Sequence, residues 1–202
     1  MISIVDYGAG NLGSVANMLK FIGASFQIVD SPEQLSNATK IILPGVGNYD
    51  LGMRSLREKG FETILKQKAH IDKIPFMGIC LGMQMLGDSS EEGADPGLGL
   101  IPGRVVKFSN TKDVKVPHMG WNLVDFKPDN EINRNLPADS RFYFVHSYYF
   151  VPECGGDILM KTNYGGSSFV SGVKRGNVIG FQFHPEKSHK FGMQLFRNFV
   201  EL

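Results

Sequence analysis

The cysteine at position 80 has the surroundings of a catalytic nucleophile. It lies in the segment Gly78-Ile79-Cys80-Leu81-Gly82, where a short apolar run passes into a helical pattern. A nucleophile in this frame sits on a sharp strand-to-helix turn that exposes its reactive atom. The helix after it would direct its positive end at the sulfur and favour the thiolate. A lone buried cysteine is more often a packing residue. The two flanking glycines nevertheless favour the interpretation of Cys80 as a nucleophile. Cys154 lacks this frame and is predicted to be structural.

A histidine and a carboxylate two residues apart could serve this nucleophile. His184 and Glu186 follow the strand-like run Phe181-Gln182-Phe183, so their side chains are expected to point to the same side. The carboxylate would fix the ring tautomer and stabilise the imidazolium that forms when the histidine takes a proton. An arbitrary His-x-Glu pair usually lies on the surface, so this interpretation depends on Cys80. The chain order is acceptable because triads are defined by geometry.

A third segment offers main-chain donors. Pro44-Gly45-Val46-Gly47 follows the apolar run at 41–43, and its small residues would let the backbone approach a substrate closely. Such N–H groups can stabilise the oxyanion of a tetrahedral intermediate by about 3 kcal/mol each. Glycines are common at strand-to-helix turns, so this segment gains weight only beside the other two. We hypothesise that it is a two-state element, because a peptide flip meets little side-chain resistance there.

The elements that must position these groups alternate between strand and helix in the first half of the chain. Strands are predicted at 2–5, 26–29, 41–43 and 75–79, and helices at 12–22, after 31, through 65 and from 81. From residue 98 strands follow closely, at 104–108, 121–126, 142–146, 158–162, 169–174 and 178–183, before a helix at 191–200. This order predicts an α/β fold, with a flavodoxin-like, mostly parallel central sheet flanked by helices and additional antiparallel strands in the C-terminal half. One domain, residues 1–202, is expected because no linker or repeat is visible.

The composition excludes several classes of function. The 202 residues are 42% hydrophobic and 20% charged, with a formal net charge of +1, which is an ordinary globular composition. The basic residues form no stripe that would bind nucleic acid, and no apolar stretch is long enough to span a membrane. Two cysteines make no disulfide framework, so a cytoplasmic location is expected. Neither cysteine has metal-ligand spacing, and we expect no metal and no cofactor.

The segment 78–84 and the tripeptide His184-Pro185-Glu186 together resemble the signature of the class I, triad-type glutamine amidotransferases. Within that family, three further segments are similar to the glutaminase subunits of imidazole glycerol phosphate synthase: IVDYGAGNL at 4–12, VPHMGWN at 116–122 and FVHSYY at 144–149. The resemblance covers essentially the whole chain. It implies hydrolysis of L-glutamine to glutamate and ammonia, and a heterodimer in which ammonia passes to a (β/α)₈ cyclase subunit of histidine biosynthesis.

The resemblance also implies a role for each site residue. Cys80 would form a glutamyl thioester, and His184, oriented by Glu186, would protonate the departing ammonia and then activate water. The oxyanion hole would be made by main-chain N–H groups at Gly45, Val46, Gly47 and Leu81. Glutamine would be held by Gln84 and by the main chain of His146, Ser147 and Tyr148. The partner would be contacted by Asn11, Met119, Gly120, Trp121, Asn122 and Lys187, although a lone tryptophan is more often found in a core.

Three other functions stay open at this point. A paralogue that supplies ammonia for surface-sugar biosynthesis would have the same glutaminase chemistry. A cysteine peptidase would cleave peptides without a partner, and glutamine would not protect Cys80 from alkylation. A catalytically silent scaffold is disfavoured because the set of Cys80, His184 and Glu186 is complete, whereas a decayed site usually loses a member.

Overall fold

The computed structural model describes residues 1–110, 114–126 and 129–202 as alternating strands and helices. The strands are β1 (Ile2–Val5), β2 (Phe26–Val29), β3 (Lys40–Gly45), β4 (Phe76–Cys80), β5 (Ser89–Ser90), β6 (Gly103–Lys107), β7 (His118–Leu123), β8 (Asp125–Phe126), β9 (Arg141–His146), β10 (Tyr148–Pro152), β11 (Ile158–Tyr164), β12 (Ser167–Arg175) and β13 (Val178–Phe181). The helices are α1 (Leu12–Phe21), α2 (Tyr49–Glu58), α3 (Phe61–His70), α4 (Leu81–Gln84) and α5 (His189–Glu201). Short 3₁₀ turns lie at Pro32–Leu35, Glu131–Asn133, Gly155–Asp157 and Pro185–Lys187.

One large sheet carries Cys80 at the end of a central strand. Its strand order is β2-β1-β3-β4-β13-β12-β10-β6-β5, and the strands from β2 to β13 are parallel. From there β12, β10 and β6 each run antiparallel to the strand before, and β11 and β8 extend the sheet beside β12. Strands β7 and β9 form a separate antiparallel pair. The predicted α/β fold, with a mostly parallel sheet and additional antiparallel strands, is therefore confirmed.

The parallel strands are covered on both faces, which explains why their sequences are continuous apolar runs. Strands β1 and β13 are buried at every position. On β3, Ile41 and Leu43 pack with the apolar residues of α2 and α3, whereas Ile42 packs with those of α1 and α5. Because successive side chains on a strand point to opposite faces, the core forms two layers with the sheet between them.

The structure moves several predicted boundaries. The helical stretch predicted through residue 65 is two helices, because Gly60 adopts a φ of +77° between them and a left-handed residue ends a helix. The helix predicted from Leu81 is a single turn, and the strand predicted at 178–183 ends at Phe181. Strand β10 is absent from the prediction because only Ser147 separates it from β9, with no turn signal between them. Within the described residues, no helix has the length and hydrophobicity needed to cross a membrane.

Candidate active site

Cys80 lies at the turn where β4 passes into α4. Its φ of 54° and ψ of −107° fall outside the regions that non-glycine residues usually adopt, which is the strained turn expected of a nucleophile elbow. The flanking glycines permit the turn because a side chain at either position would meet the backbone. A Cβ on Gly82 would overlap the carbonyl oxygen of Leu43, and a Cβ on Gly78 would lie 2.7 Å from the carbonyl oxygen of Gly82. Because α4 is one turn long, its dipole is weaker than the helical pattern in the sequence predicts.

His184 and Glu186 form a buried pair next to Cys80. The distance from His184 Nδ1 to Glu186 Oε1 is 2.7 Å, and the two side chains are only 1% and 2% exposed. Neither residue belongs to β13. His184 is extended and pairs with Tyr143 in an isolated bridge, and the 3₁₀ turn at Pro185–Lys187 then brings Glu186 back to the imidazole. The pairing therefore comes from this turn and not, as predicted, from the alternation of a strand.

The charges around His184 favour its protonated form. Burial lowers the pKa of His184, but the polar and negatively charged groups of Cys80 and Glu186 outweigh burial and raise it to about 10. Glu186 accepts a hydrogen bond from Nδ1. Nε2 is buried and has no hydrogen-bond partner among the described residues, and Cys80 is near enough to raise the pKa of His184. This arrangement holds a proton that can be delivered towards the sulfur side of the ring.

A cavity of about 290 Å³ opens in front of Cys80 and His184. It is lined by Val46, Gly47, Cys80, Leu81, Gln84, Glu92, Pro117, Val145, His146, Ser147, Tyr148 and His184. The structure thus brings together the predicted nucleophile, its histidine, three of the four predicted oxyanion residues and all four predicted substrate-binding residues. Gly45 does not line the cavity. It lies directly opposite Cys80 in the register of β3 and β4.

Two side chains that line the cavity carry acceptor oxygens. Gln84 Nε2 donates to the carbonyl oxygen of Tyr148 at 3.1 Å and to Gln182 Oε1 at 3.2 Å. Both amide hydrogens of Gln84 are therefore occupied, and only its Oε1 remains for a ligand. Glu92, which no sequence motif marked, accepts a hydrogen bond from Tyr49 N at 3.0 Å. Burial raises the pKa of Glu92, and this effect outweighs the hydrogen bonds from Tyr49 and Asn48, which lower the pKa. Acceptors of this kind suit an ammonium or amide NH₂ group.

Two further polar groups beside Cys80 were missed although the predicted motifs contain them. Gln182 is completely buried, and its Nε2 donates to Cys80 Sγ at 3.8 Å. Tyr7 is also completely buried, and its hydroxyl lies 2.5 Å from the position that a Cβ on Gly45 would take. Burial, and secondarily the charge of Cys80, raises the pKa of Tyr7, so its hydroxyl stays neutral. For Gln182 the available signal was a polar residue between two phenylalanines; Tyr7 had no comparable signal.

His146 begins a chain of hydrogen bonds that leaves the cavity. Its Nδ1–H donates to the carbonyl oxygen of Tyr148 at 2.7 Å, so its Nε2 must be the acceptor for His118 Nδ1–H at 3.0 Å. His118 Nε2 then accepts from Asn122 Nδ2 at 3.3 Å. Burial lowers the pKa of His118 to about 4 and that of His146 to about 3, although the hydrogen bond that His146 donates to the carbonyl oxygen of Tyr148 raises the pKa of His146. Both rings are therefore neutral at pH 7.

An apolar stripe lies on the outer face of β7, close in sequence to this chain of hydrogen bonds. Met119, Trp121 and Leu123 alternate along the strand and are 62%, 47% and 49% exposed. Trp121 therefore does not lie in the core, where a lone tryptophan is more often found, and it is accessible to a partner. The Trp121 ring stacks on the ring of His189 at a centroid distance of 5.4 Å. We name Met119, Trp121 and Leu123 the β7 stripe.

The other residues predicted to face a partner differ in exposure. Lys187 is exposed and places its Nζ 5.9 Å from the ring centroid of Tyr143. Asn11 caps α1, and its side chain accepts a hydrogen bond from Ser14 N at 3.4 Å. Asn122 is half-buried and donates to Asn163 O at 2.9 Å, and Gly120 is half-buried with a φ of +125°. Asn11 and Asn122 thus have structural contacts of their own.

Outside this site, the described part of the chain offers little chemistry of the same kind. Cys154, which was predicted to be structural, is exposed and precedes a 3₁₀ turn. Among the residues that the structure describes, no group of three or more His, Cys, Asp or Glu side chains could hold a metal ion.

Comparisons with known proteins find relatives along the whole chain. A family model described as Glutamine amidotransferase class-I matches residues 3–202. The chain is 55% identical over 202 residues to a Pseudomonas aeruginosa protein named imidazole glycerol phosphate synthase subunit HisH 2, with 100% of both chains covered. It is 52% identical over 201 residues to a Methanococcus maripaludis protein of the same name, with 100% of this chain and 99% of that protein covered.

Solved structures of lower identity share the fold. A structure described as PurLQS from Thermotoga maritima superposes with a TM-score of 0.78 at 22% identity, over 99% of this chain and 97% of that chain. A second, described as a glutamine amidotransferase, gives a TM-score of 0.74 at 21% identity, over 100% of this chain and 98% of that chain. At these identities the likeness concerns the arrangement of strands and helices alone.

Proposed function

The chain belongs to the class I glutamine amidotransferase family, and on this premise we propose that it is the glutaminase subunit of imidazole glycerol phosphate synthase. It hydrolyses L-glutamine to glutamate and ammonia, and it supplies the ammonia to a (β/α)₈ cyclase subunit of histidine biosynthesis. The full-length identities of 55% and 52% with two proteins of that name support the assignment. The observation that carries the chemistry is the buried His184–Glu186 pair beside Cys80 at one cavity.

The reaction proceeds through a thioester. The Cys80 thiolate attacks the side-chain amide carbon of glutamine, and His184 gives its proton to the amide nitrogen, which leaves as ammonia. The neutral His184 then takes a proton from water, the resulting hydroxide attacks the thioester, and the thiolate is expelled with glutamate as product. A pKa of about 10 suits the first step, because the proton is still on His184 when the leaving nitrogen needs it. Glu186 stabilises the imidazolium before the first step and again when it re-forms in the second.

Main-chain N–H groups stabilise the oxyanion that forms on the amide carbonyl. We assign this role to the segment Gly45-Val46-Gly47 together with Leu81, of which all but Gly45 line the cavity. Val46 is 42% exposed and Gly47 has a φ of +106°, so no packed side chain fixes the peptide between them. The segment can therefore exist in two arrangements, one of which leaves the oxyanion without its donors.

The substrate is held at the opposite wall of the cavity. Gln84 and Glu92 present acceptor oxygens, which recognise the α-ammonium group of glutamine. The main chain of His146, Ser147 and Tyr148 binds the remaining amino-acid end. Residues 1–202 act as one glutaminase domain, in the cytoplasm and without a cofactor.

The cyclase subunit docks on the β7 stripe. Three large apolar side chains exposed in a row are costly in water and mark a contact surface, and Trp121 provides the aromatic anchor that such surfaces favour. Asn11, Gly120, Asn122 and Lys187 complete the contact, giving a heterodimer. Because free ammonia is wasted, the isolated chain has low activity until the partner and its ribotide substrate are bound.

The test is glutamate release from glutamine by the purified chain, first alone and then with a histidine-pathway cyclase subunit and its ribotide. We expect a large rise in the complete mixture and none with Cys80→Ala. Full-speed turnover by the isolated chain would contradict the coupling, and negligible release in every mixture would contradict the histidine assignment.

A paralogue for surface-sugar biosynthesis is the second candidate. Both relatives carry the number 2 in their names, and the glutaminase chemistry would be the same for either partner. The same assay distinguishes the two, because a sugar-pathway partner would raise glutamate release where the histidine-pathway cyclase does not.

A further inference from the structure

Gln182 is a buried polar group at the site, and it has no role in the thioester mechanism. We propose that Gln182 is a positioning residue, whose amide N–H holds the Cys80 sulfur in place and stabilises it while it is negatively charged. The proposal rests on the proposed glutaminase function. Its direct basis is the contact of 3.8 Å between Gln182 Nε2 and Cys80 Sγ, made by a side chain that is completely buried.

The orientation of the Gln182 amide is fixed by its neighbours. The Tyr148 carbonyl oxygen can only accept, so the Gln84 atom that faces it at 3.1 Å must be the amide nitrogen. The same nitrogen lies 3.2 Å from Gln182 and therefore requires an oxygen there. With Oε1 facing Gln84, the Gln182 amide must present its N–H groups to the sulfur. Reversing it would set two donors against each other.

The surroundings of Gln182 argue against a residue retained for packing alone. Its neighbours Phe181 and Phe183 are completely buried, and removing an amide from water among aromatic rings is costly unless its hydrogen bonds are made. An apolar side chain would fill this position more easily. The amide N–H is useful when the sulfur is charged, because hydrogen bonds to ions are about twice as strong as neutral ones. The sulfur is an anion before attack and again when the thioester is hydrolysed, so one donor serves both steps.

Two variants at this position test the proposal. Gln182→Met removes the donor at nearly constant volume. Gln182→Glu keeps the oxygen that Gln84 needs and changes the atom that faces the sulfur. We expect the pH midpoint for alkylation of Cys80 by iodoacetamide to rise in both variants, and further in Gln182→Glu. In the presence of the cyclase subunit and ribotide, kcat for Gln182→Glu, which keeps the acceptor for Gln84, should fall about 10- to 100-fold, while KM changes by less than about threefold.

The matched control is Thr162→Val, which removes another fully buried side-chain hydrogen bond, from Thr162 Oγ1 to Ser171 Oγ at 2.8 Å. It should lower the melting temperature but leave the alkylation profile unchanged. An unchanged profile in both Gln182 variants would overturn the proposal, as would an equal shift in Thr162→Val. If Gln182→Met does not fold, the alkylation profile of Gln182→Glu alone tests the proposal. Alkylation of Cys80 needs no glutamine. A wild-type chain that fails to release glutamate would therefore contradict the proposed function, whereas only the alkylation profiles can contradict the role of Gln182.

Discussion

The buried pair of His118 and His146 is expected to make this protein sensitive to mild acid. In the folded chain the pKa values are about 4 and about 3, whereas an unfolded histidine titrates near pH 6.5. Between these values the unfolded chain binds more protons than the folded one. The stability that depends on the two neutral rings is therefore complete above about pH 6.5 and is lost as the pH falls towards 4.

The size of this effect comes from the difference in proton binding. Each histidine contributes about 2 kcal/mol of destabilisation between pH 7 and pH 5, so the pair contributes about 4 kcal/mol. The slope near pH 5 approaches about 1.4 kcal/mol per pH unit for each ring. His184 adds little to the slope near pH 5, because its pKa in the folded chain is raised to about 10 and an unfolded histidine is also almost fully protonated at that pH. The side chains of His118 and His146 are buried, so solvent screening does not weaken the effect of their titration on stability.

The perturbation that isolates this effect is His118→Gln. Urea unfolding, monitored by circular dichroism at several pH values between about 5 and 7.5, gives the free energy of unfolding at each pH. We expect the slope below pH 6 to decrease by about 1.4 kcal/mol per pH unit in the variant. His70→Gln is the matched control, because that histidine is exposed. A slope in His118→Gln equal to that of the wild type would refute the reasoning.

Three further predictions concern catalysis, docking and the fold. Glu186→Gln removes the charge that orients the catalytic histidine, and kcat for glutamate release should fall by about 10³- to 10⁴-fold; a loss below about tenfold would remove Glu186 from the triad. Trp121→Ala should weaken cyclase binding about 100-fold in a titration, whereas Ile71→Ala, also strongly exposed, should not, and equal effects would count against the β7 stripe. Gly82→Ala should lower the free energy of unfolding by about 3 kcal/mol or prevent folding, because a Cβ there overlaps a carbonyl oxygen. Gly13→Ala, which has open space, should be stabilising by about 0.5 kcal/mol, and denaturant titrations showing equal losses would contradict this account.

The parts of the molecule that sequence predicts well are those governed by local rules. The apolar runs of β1, β3 and β4 are long enough to indicate buried parallel strands, and the glycines around Cys80 require a sharp turn whatever surrounds them. The parallel pairing of β13 with β4 is not among the predictions, but it brings the carboxyl ends of both strands to one edge of the sheet. For this reason the cavity contains the nucleophile, its histidine and most of the predicted loop.

The parts that sequence does not predict depend on contacts between distant segments. Glu92 reaches the cavity because its carboxylate meets the first N–H of α2, and nothing in its own neighbourhood marks it. Gln182 faces Cys80 only because Gln84 and Tyr148 fix its amide. The single turn of α4 could not be foreseen from a helical pattern, because packing against β10 and β13, and not helix propensity, sets the path of the chain beyond Gln84.

The left-handed turn at Cys80 bears on how such a chain changes over generations. A non-glycine residue at φ 54° and ψ −107° costs about 1 to 3 kcal/mol, and glycine would adopt the same turn without that cost. While ammonia production is needed, selection maintains a residue that weakens the fold. When ammonia production is no longer needed, a substitution of Cys80 by glycine removes the strain and stabilises the fold. Gly78 and Gly82 cannot change in the same way, because a side chain at either position would overlap backbone atoms packed against it. A descendant that keeps both glycines but has glycine between them would record a lost activity in an intact fold.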